Sequence, residues 1–184
     1  MNKVFYFILL LKISQVCVKM ITINIRLKFI LNQMLEIITF PNQILKQKCQ
    51  PVNNPTDLEI KQLITEMTKT MRAYDGLGLA APQVGQNIQL FLTEIDDKLM
   101  VFINPEIQKL SGKEVRAEEG CLSFPGKYLP VVRPNKVKIK FTNAEGKRQV
   151  LKTEGLLARA IQHEFDHLNG VLFTEKAEEL IAVN

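Results

Sequence analysis

The clearest pattern of hydrophobic and polar positions along the chain predicts two amphipathic helices. Asp57, a residue type that favours helix N-caps, precedes the first apolar stripe. Its members are Leu58, Leu63, Ile64, Met67 and Met71. A second stripe is followed by Gly170, a residue type typical of helix ends. Its members are Leu156, Leu157, Ala160, Ile161, Phe165 and Leu168. The spacing predicts helices over 58–74 and 155–169.

Between these helices the pattern changes to one that is typical of strands. Residues 89–95 and 100–104 predict a strand pair around an Asp-Asp turn, and 136–142 and 148–153 predict a hairpin. A glycine-rich segment and a short apolar stretch with one cysteine occupy 76–85 and 119–124. Because strands and helices do not alternate, we predict an α+β fold. Its antiparallel strands would pack around the central helix 155–169, with a second helix near the N-terminus of the domain.

Residues 1–33 differ from the rest of the chain. They hold five of the 24 basic residues and none of the 19 acidic ones, so residues 34–184 carry no net charge. We therefore expect one domain over 34–184 that binds no nucleic acid directly. Three interpretations of 1–33 stay open: a start assigned too far upstream, with Met34 the true start, a secretory signal, or an organellar transit peptide. The apolar run 4–11 is shorter than the ~20 residues that span a bilayer.

Three cysteines are few, and an odd number cannot all pair, so the chain does not have the pattern of a disulfide framework. They are Cys17, Cys49 and Cys121. This usage indicates a reducing compartment, and we expect a cytoplasmic protein, or an organellar one if residues 1–33 are a transit peptide.

The only two histidines of the chain stand four residues apart, in the run H-E-F-D-H at 163–167. On a helix this spacing puts both rings on one face, where His163 and His167 can share one divalent metal ion. Glu164 is then placed to act as a general base, as in metal-dependent hydrolases. The alternative is a pair of surface histidines on an amphipathic helix.

A catalytic metal site needs a third protein ligand. Downstream, Phe173 stands where one class of metallopeptidase has a third histidine, and the later glutamates read as solvated acids: Glu175, Glu178 and Glu179. Upstream, Cys121 lies in the run E-G-C-L-S, and its thiolate would suit zinc or ferrous iron. The alternative for Cys121 is a buried apolar thiol.

The glycine-rich run G-L-G-L-A-A-P-Q at 76–83 matches part of a dinucleotide-binding fingerprint. That motif needs a strand before it and a helix after it, whereas here a predicted helix precedes it and Pro82 interrupts it. We reject the nucleotide interpretation and expect the glycines to allow close approach to a ligand. Gln83 is either an ordinary loop residue or an amide donor to an oxyanion.

In this order and at these separations, the three motifs closely resemble peptide deformylases over residues 34 to about 173. The resemblance implies the metal ligands Cys121, His163 and His167. It implies Glu164 as general acid and base, with the Gln83 side chain and the Leu122 backbone N–H as oxyanion donors. It also implies a substrate site for methionine at Gly78, Gly120, Leu156 and Ala160. The predicted central helix would then be the metal-binding helix.

The resemblance further implies an enzyme that removes the formyl group from the N-terminal formyl-methionine of nascent polypeptides. Its cofactor would be one divalent metal ion, Fe²⁺, with Zn²⁺, Ni²⁺ or Co²⁺ as alternatives. We expect a monomer that works near the ribosome but lacks the longer C-terminal docking helix of many bacterial members. Other interpretations are a different metallopeptidase, a non-catalytic metal-stabilised binding module, and a membrane-tethered form of the enzyme.

Arg159 departs from the family pattern, because well-known members usually have an apolar residue at this position on the pocket side of the helix. We expect its side chain either to narrow or polarise the rim of the pocket or to point into solvent.

Overall fold

The computed structural model describes residues 34–177, so the expectations for residues 1–33 lie outside the described residues. Its elements follow the chain as α1 (Leu58–Ala73), β1 (Gly78–Ala80), β2 (Leu90–Ile95), β3 (Lys98–Cys121), β4 (Phe124–Thr142), β5 (Arg148–Glu154), α2 (Gly155–Leu168) and the short α3 (Phe173–Lys176). Two 3-10 helices add Gln43–Lys46 and Ala81–Val84. The α+β prediction is confirmed.

The strands form one antiparallel sheet in the order β1-β2-β3-β4-β5. The predicted strand 100–104 is much too short, because β3 continues to Cys121 and pairs with β4 along a hairpin. Four register shifts interrupt this pairing. Such bulges break the two-residue alternation, and most of the added part of β3 is solvent-exposed, so its sequence lacks a strand pattern. β1 lies inside the glycine-rich segment and was not predicted.

The core lies on both faces of the sheet, and the alternation along β2 divides it. Phe91 packs in one cluster with Ala158 and Ile161 of α2, whereas Leu92 packs in another with Met67 of α1. All five side chains are fully buried. Each large apolar side chain removed from water in this way contributes roughly 1.5–3 kcal/mol. The sheet therefore holds α2 and α1 on opposite faces.

Both helices end within a residue of their predicted limits. Asp57 occupies the N-cap position of α1, although its side chain makes no capping hydrogen bond. α2 follows β5 directly, and Gly170 lies just beyond it with a φ of +70°. There the Val171 N–H donates to the Asp166 carbonyl at 3.0 Å, as in a Schellman C-cap. No helix within residues 34–177 is long and apolar enough to cross a membrane.

Candidate metal centre and active site

Three potential metal ligands meet where the end of β3 faces α2. Cys121 is the last residue of β3, and His163 and His167 lie one helical turn apart on α2. One ligand atom from each side chain lies within 4.8 Å of the other two. The shortest separation is 3.3 Å, between Cys121 Sγ and His167 Nε2. The structure thus brings Cys121 together with two histidines that lie more than 40 residues later in the sequence.

A buried carboxylate orients one of the two imidazoles. His163 Nδ1 lies 2.9 Å from Glu119 Oε2, which leaves Nε2 directed toward the ligand cluster. Burial lowers the pKa of His163, but its interactions with Cys121 and Glu119 outweigh burial and raise that pKa to about 10. Cation binding at His163 must therefore displace a proton. Burial lowers the pKa of His167 well below its usual value, so that ring stays neutral.

The donor set fits a divalent transition-metal ion. One thiol and two imidazoles are the ligand types that zinc and ferrous iron prefer. Two buried atoms beside them, His167 Nδ1 and Glu164 Oε2, have no hydrogen-bond partner among residues 34–177. A buried polar atom without a partner carries a desolvation cost of about 1–3 kcal/mol, and such atoms are common where a ligand or ordered water belongs.

Glu164 is buried next to both histidines. Burial raises the pKa of its carboxyl group to about 7, although the charge of His163 partly opposes that shift. A Cβ atom at Gly78 would lie only 2.4 Å from Glu164 Oε1. The glycine was expected to permit close approach of a ligand. In the structure it permits close approach of β1 to this carboxylate.

Neighbouring groups hold the amide of Gln83 in one orientation. Its Oε1 accepts a hydrogen bond from the Ala80 N–H at 2.8 Å. Its Nε2 therefore faces the metal ligands, donating to Ser123 Oγ at 3.2 Å and lying 3.4 Å from Cys121 Sγ. Gln83 is 2% exposed and belongs to the 3-10 helix that follows β1. This amide is fixed by its surroundings, unlike that of an ordinary loop glutamine.

Behind His163, Glu119 belongs to a buried network of charges. Arg133 donates two hydrogen bonds to Glu119, at 2.6 and 2.9 Å, and a third to Asp166 at 2.7 Å. Lys176 contacts the other oxygen of Asp166, also at 2.7 Å. Burial favours protonation of Glu119, but its hydrogen bonds with His163 and Arg133 outweigh burial and lower its pKa to about 2. The acceptor for the His163 N–H is therefore a carboxylate at neutral pH.

Arg159 lines the cavity, which agrees with the expectation that it narrows or polarises the rim, whereas the expectation that it points into solvent is wrong. Its guanidinium donates to Glu119 Oε1 at 2.6 Å and to the Val131 carbonyl at 3.0 Å, and also contacts the Val115 carbonyl. The side chain is 13% exposed, so it does not point into solvent. Arg159 also ties α2 to β3 and β4.

A cavity of about 580 Å³ opens in front of these groups. Nine of the ten predicted site residues line it: Gly78, Gln83, Gly120, Cys121, Leu122, Leu156, Ala160, His163 and Glu164. The tenth, His167, is buried behind the wall. Tyr128 forms part of the rim, and its ring covers Gly120 so closely that a Cβ there would lie 2.6 Å from the ring. Side chains from both faces of the cleft thus border one space.

Sequence reasoning missed the residues that support the ligands. Glu119 and Asp166 stood inside recognised motifs, and their charge at otherwise buried positions was the available signal. Arg133 carried no local signal. It reaches Glu119 because the β3–β4 register pairs it with Val115, four residues before that carboxylate.

The comparisons with known proteins agree with this geometry. The sequence profile of the family described as polypeptide deformylase matches residues 34–182. A peptide deformylase from Clostridium botulinum is 50% identical over 137 residues, which are 74% of this chain and 92% of the relative. The crystal structure of peptide deformylase from Thermotoga maritima has a TM-score of 0.78 and 39% identity, over 80% of this chain and 99% of that one. A peptide deformylase from Synechococcus elongatus in complex with actinonin has the same TM-score, with 44% identity over 80% of each chain.

The fold, together with a cysteine and two histidines beside a buried glutamate, defines a metallohydrolase. Because the profile and these relatives cover most of it, the chain belongs to the polypeptide deformylase family. It is a hydrolase that removes the N-terminal formyl group from nascent polypeptides.

Proposed function

We propose that Cys121, His163 and His167 hold one divalent metal ion at which formyl-methionyl peptides are hydrolysed. One observation above all supports this: three ligand atoms lie within 4.8 Å of one another, in a cleft that also contains Glu164. When bound, a divalent ion lowers the pKa of a coordinated water to about 7 and polarises the carbonyl oxygen of the substrate. We propose Fe²⁺ as this ion, with Zn²⁺, Ni²⁺ and Co²⁺ as alternatives that suit the same ligands.

Glu164 is the proposed proton carrier. Its Oε2 has no hydrogen-bond partner among residues 34–177, and its pKa of about 7 suits both uptake and release of a proton near neutral pH. It takes a proton from the attacking water and later delivers it to the amine nitrogen of the leaving methionine. General acid–base catalysis of this kind contributes about 10²- to 10⁴-fold in rate.

Gln83 and Leu122 are the proposed donors to the oxyanion that forms at the formyl carbon. The Ala80 N–H holds the Gln83 oxygen, so the Gln83 NH₂ group faces the cleft with its orientation set in advance. Leu122 follows Cys121 directly, and its backbone N–H is the second proposed donor. Loss of one preorganised donor typically costs about 10²- to 10³-fold in rate.

The cavity walls are the proposed substrate site. Leu156, which is half exposed, and Ala160, which is buried, lie one turn apart on the same face of α2 and border the cavity with an apolar surface that suits an unbranched methionine side chain. Gly78 and Gly120 line the same space and are the proposed positions at which the peptide backbone passes. We further propose that the enzyme is a cytoplasmic monomer that acts close to the ribosome.

The decisive experiment is a deformylation assay on the full chain, purified anaerobically and analysed for metal. Formyl-Met-Ala should yield formate and free Met-Ala, whereas acetyl-Met-Ala should stay intact. Cys121→Ala should lose both metal and activity, and the matched variant Cys49→Ala, which alters a core thiol, should keep both. Cleavage of the Met-Ala bond would indicate a peptidase. Absence of turnover with every one of the four ions would overturn the proposal.

A further inference from the structure

Three lysines stand side by side across strands β3, β4 and β5 of the sheet. The register pairs Lys109 of β3 with Lys138 of β4, and Lys138 in turn with Lys152 of β5. Residues paired in this way share one face of a sheet, with Cβ atoms about 4.5–5.5 Å apart. The three side chains therefore form a continuous row of positive charge, called here the lysine row.

The lysine row lies on the face of the sheet turned away from α2. Along β4, Val137, Ile139 and Phe141 are buried in the cluster that includes α2 residues, so the alternating positions carry the opposite face. Lys140 extends the row on that side, and Lys109 and Lys152 are exposed. Lys138 and Lys140 are half-buried.

The acids on this face, Glu106 opposite Lys140 and Glu154 opposite Lys136, form no ion pair with the three lysines of the row. Within residues 34–177, the three lysines of the row and Lys140 make no ion pair, whereas nearby Lys136 pairs with Glu154 at 2.9 Å. Like charges placed directly opposite each other destabilise a sheet. An anionic ligand on this face would remove that repulsion.

We propose that the lysine row is a docking surface for the phosphate backbone of RNA. Lysines two apart along a strand are separated by about 6.8 Å, and neighbouring strands by about 4.8 Å, so the face presents a flat array of cations to closely spaced phosphates. The choice of RNA rests on the proposed function, which places the enzyme close to the ribosome, a particle whose surface exposes RNA phosphates. The expectation of no nucleic-acid surface depended on net charge alone, which is insensitive to how the sheet arranges the charges.

The test measures binding of the full chain to a fluorescent RNA hairpin of about 20 base pairs by anisotropy at several salt concentrations. The triple variant Lys109→Gln, Lys138→Gln, Lys152→Gln should bind at least about tenfold more weakly, with a salt slope reduced by about 2–3. The matched control removes three exposed lysines outside the row: Lys48, Lys61 and Lys98. It has the same net charge and the same residues 1–33, and it should bind within about twofold of the parent.

Equal losses in the two triple variants would overturn the proposal, because they would reflect net charge alone. The proposal would also be overturned if the lysine-row variant lost binding to anionic lipid vesicles but kept its binding to RNA. That result would identify a membrane surface. Hydrolysis of short formyl-Met peptides should be unchanged in both variants, because none of these lysines lines the catalytic cavity. This readout also separates failure of the RNA proposal from failure of the catalytic one.

Discussion

Helices α1 and α2 have similar apolar stripes, but they bury different chemistry. The buried polar groups of α1 are satisfied nearby: Thr68 Oγ1 donates to the Ile64 carbonyl, and Thr70 Oγ1 accepts from the Leu35 N–H. α2 buries five polar or charged side chains: Gln162, His163, Glu164, Asp166 and His167. Their partners come largely from β3, β4 and the C-terminal helix α3, and two of their atoms have no partner among residues 34–177.

The difference shows that an amphipathic pattern predicts where a helix packs but not what it does. Burying charged groups usually costs more than packing apolar ones of the same volume. A helix that served only to pack against this face could have few buried polar groups, as α1 does. We therefore attribute the excess of buried charge in α2 to catalysis, and the two helices can be tested against each other.

The largest expected effect is on catalysis at α2. Glu164→Gln keeps the shape of the side chain but removes the proton acceptor, so kcat should fall by about 10²- to 10⁴-fold while the metal content stays the same. Glu66→Gln makes the same change on α1, where Glu66 only accepts a bond from Gln62, and should leave kcat unchanged. Steady-state kinetics with metal analysis measure both. Full activity of Glu164→Gln would rule out the proposed role.

The next effect is on stability at α1. Met67 is fully buried in the core cluster beneath α1, so Met67→Ala should lower the free energy of unfolding by about 2–5 kcal/mol. Leu58, at the start of the same helix, is 80% exposed, and Leu58→Ala should change it by less than about 0.5 kcal/mol. Urea denaturation measures both. Metal bound per folded molecule should not change, and a loss of metal in Met67→Ala would show that α1 also supports the site.

A smaller effect should appear in metal affinity when an arginine is removed. Arg159 on α2 pairs with Glu119, which is buried and holds His163. Arg72 on α1 pairs with Glu94, and the Arg72 side chain is 59% exposed. Arg159→Met should weaken metal binding by about tenfold, the lower end for groups that orient a ligand, because Arg133 still holds Glu119. Arg72→Met should leave affinity unchanged, since exposed pairs contribute about 0–1 kcal/mol. Competition with a chelator measures both, and equal affinities would contradict the positioning role of Arg159.

The last effect, which appears only at high pH, probes the apolar side of α2. Cys49 packs with Ala158 and Ile161, and burial raises the pKa of its thiol from 9.0 to about 11. A raised pKa contributes stability that is fully present below pH 9 and lost as pH rises toward 11, here up to about 2–3 kcal/mol. The stability difference between the parent and Cys49→Ala should therefore shift by this amount across that range. A pH-independent difference would mean that water reaches the thiol.

Much of the fold followed from local patterns. Both helices were predicted to within a residue at their ends, because their stripes and stop signals lie within the helices or beside them. The outer parts of β3 and β4 were missed, since a mostly exposed hairpin with bulges has no need for alternating apolar residues. β1 was missed because a three-residue strand among glycines carries almost no pattern of its own.

The sequence by itself determined the parts of the site that lie within one element or one motif. Four-residue spacing puts His163 and His167 on one face of α2, and the E-G-C-L-S motif supplied Cys121 through a family resemblance. Only the tertiary structure decided which groups support them, because strand register brings Arg133 to Glu119 and aligns Lys109, Lys138 and Lys152. Neighbours on one helix are set by the helical repeat, which can be recognised within a short segment of sequence. Cross-strand neighbours depend on pairing and bulges along the whole sheet, which no short segment encodes.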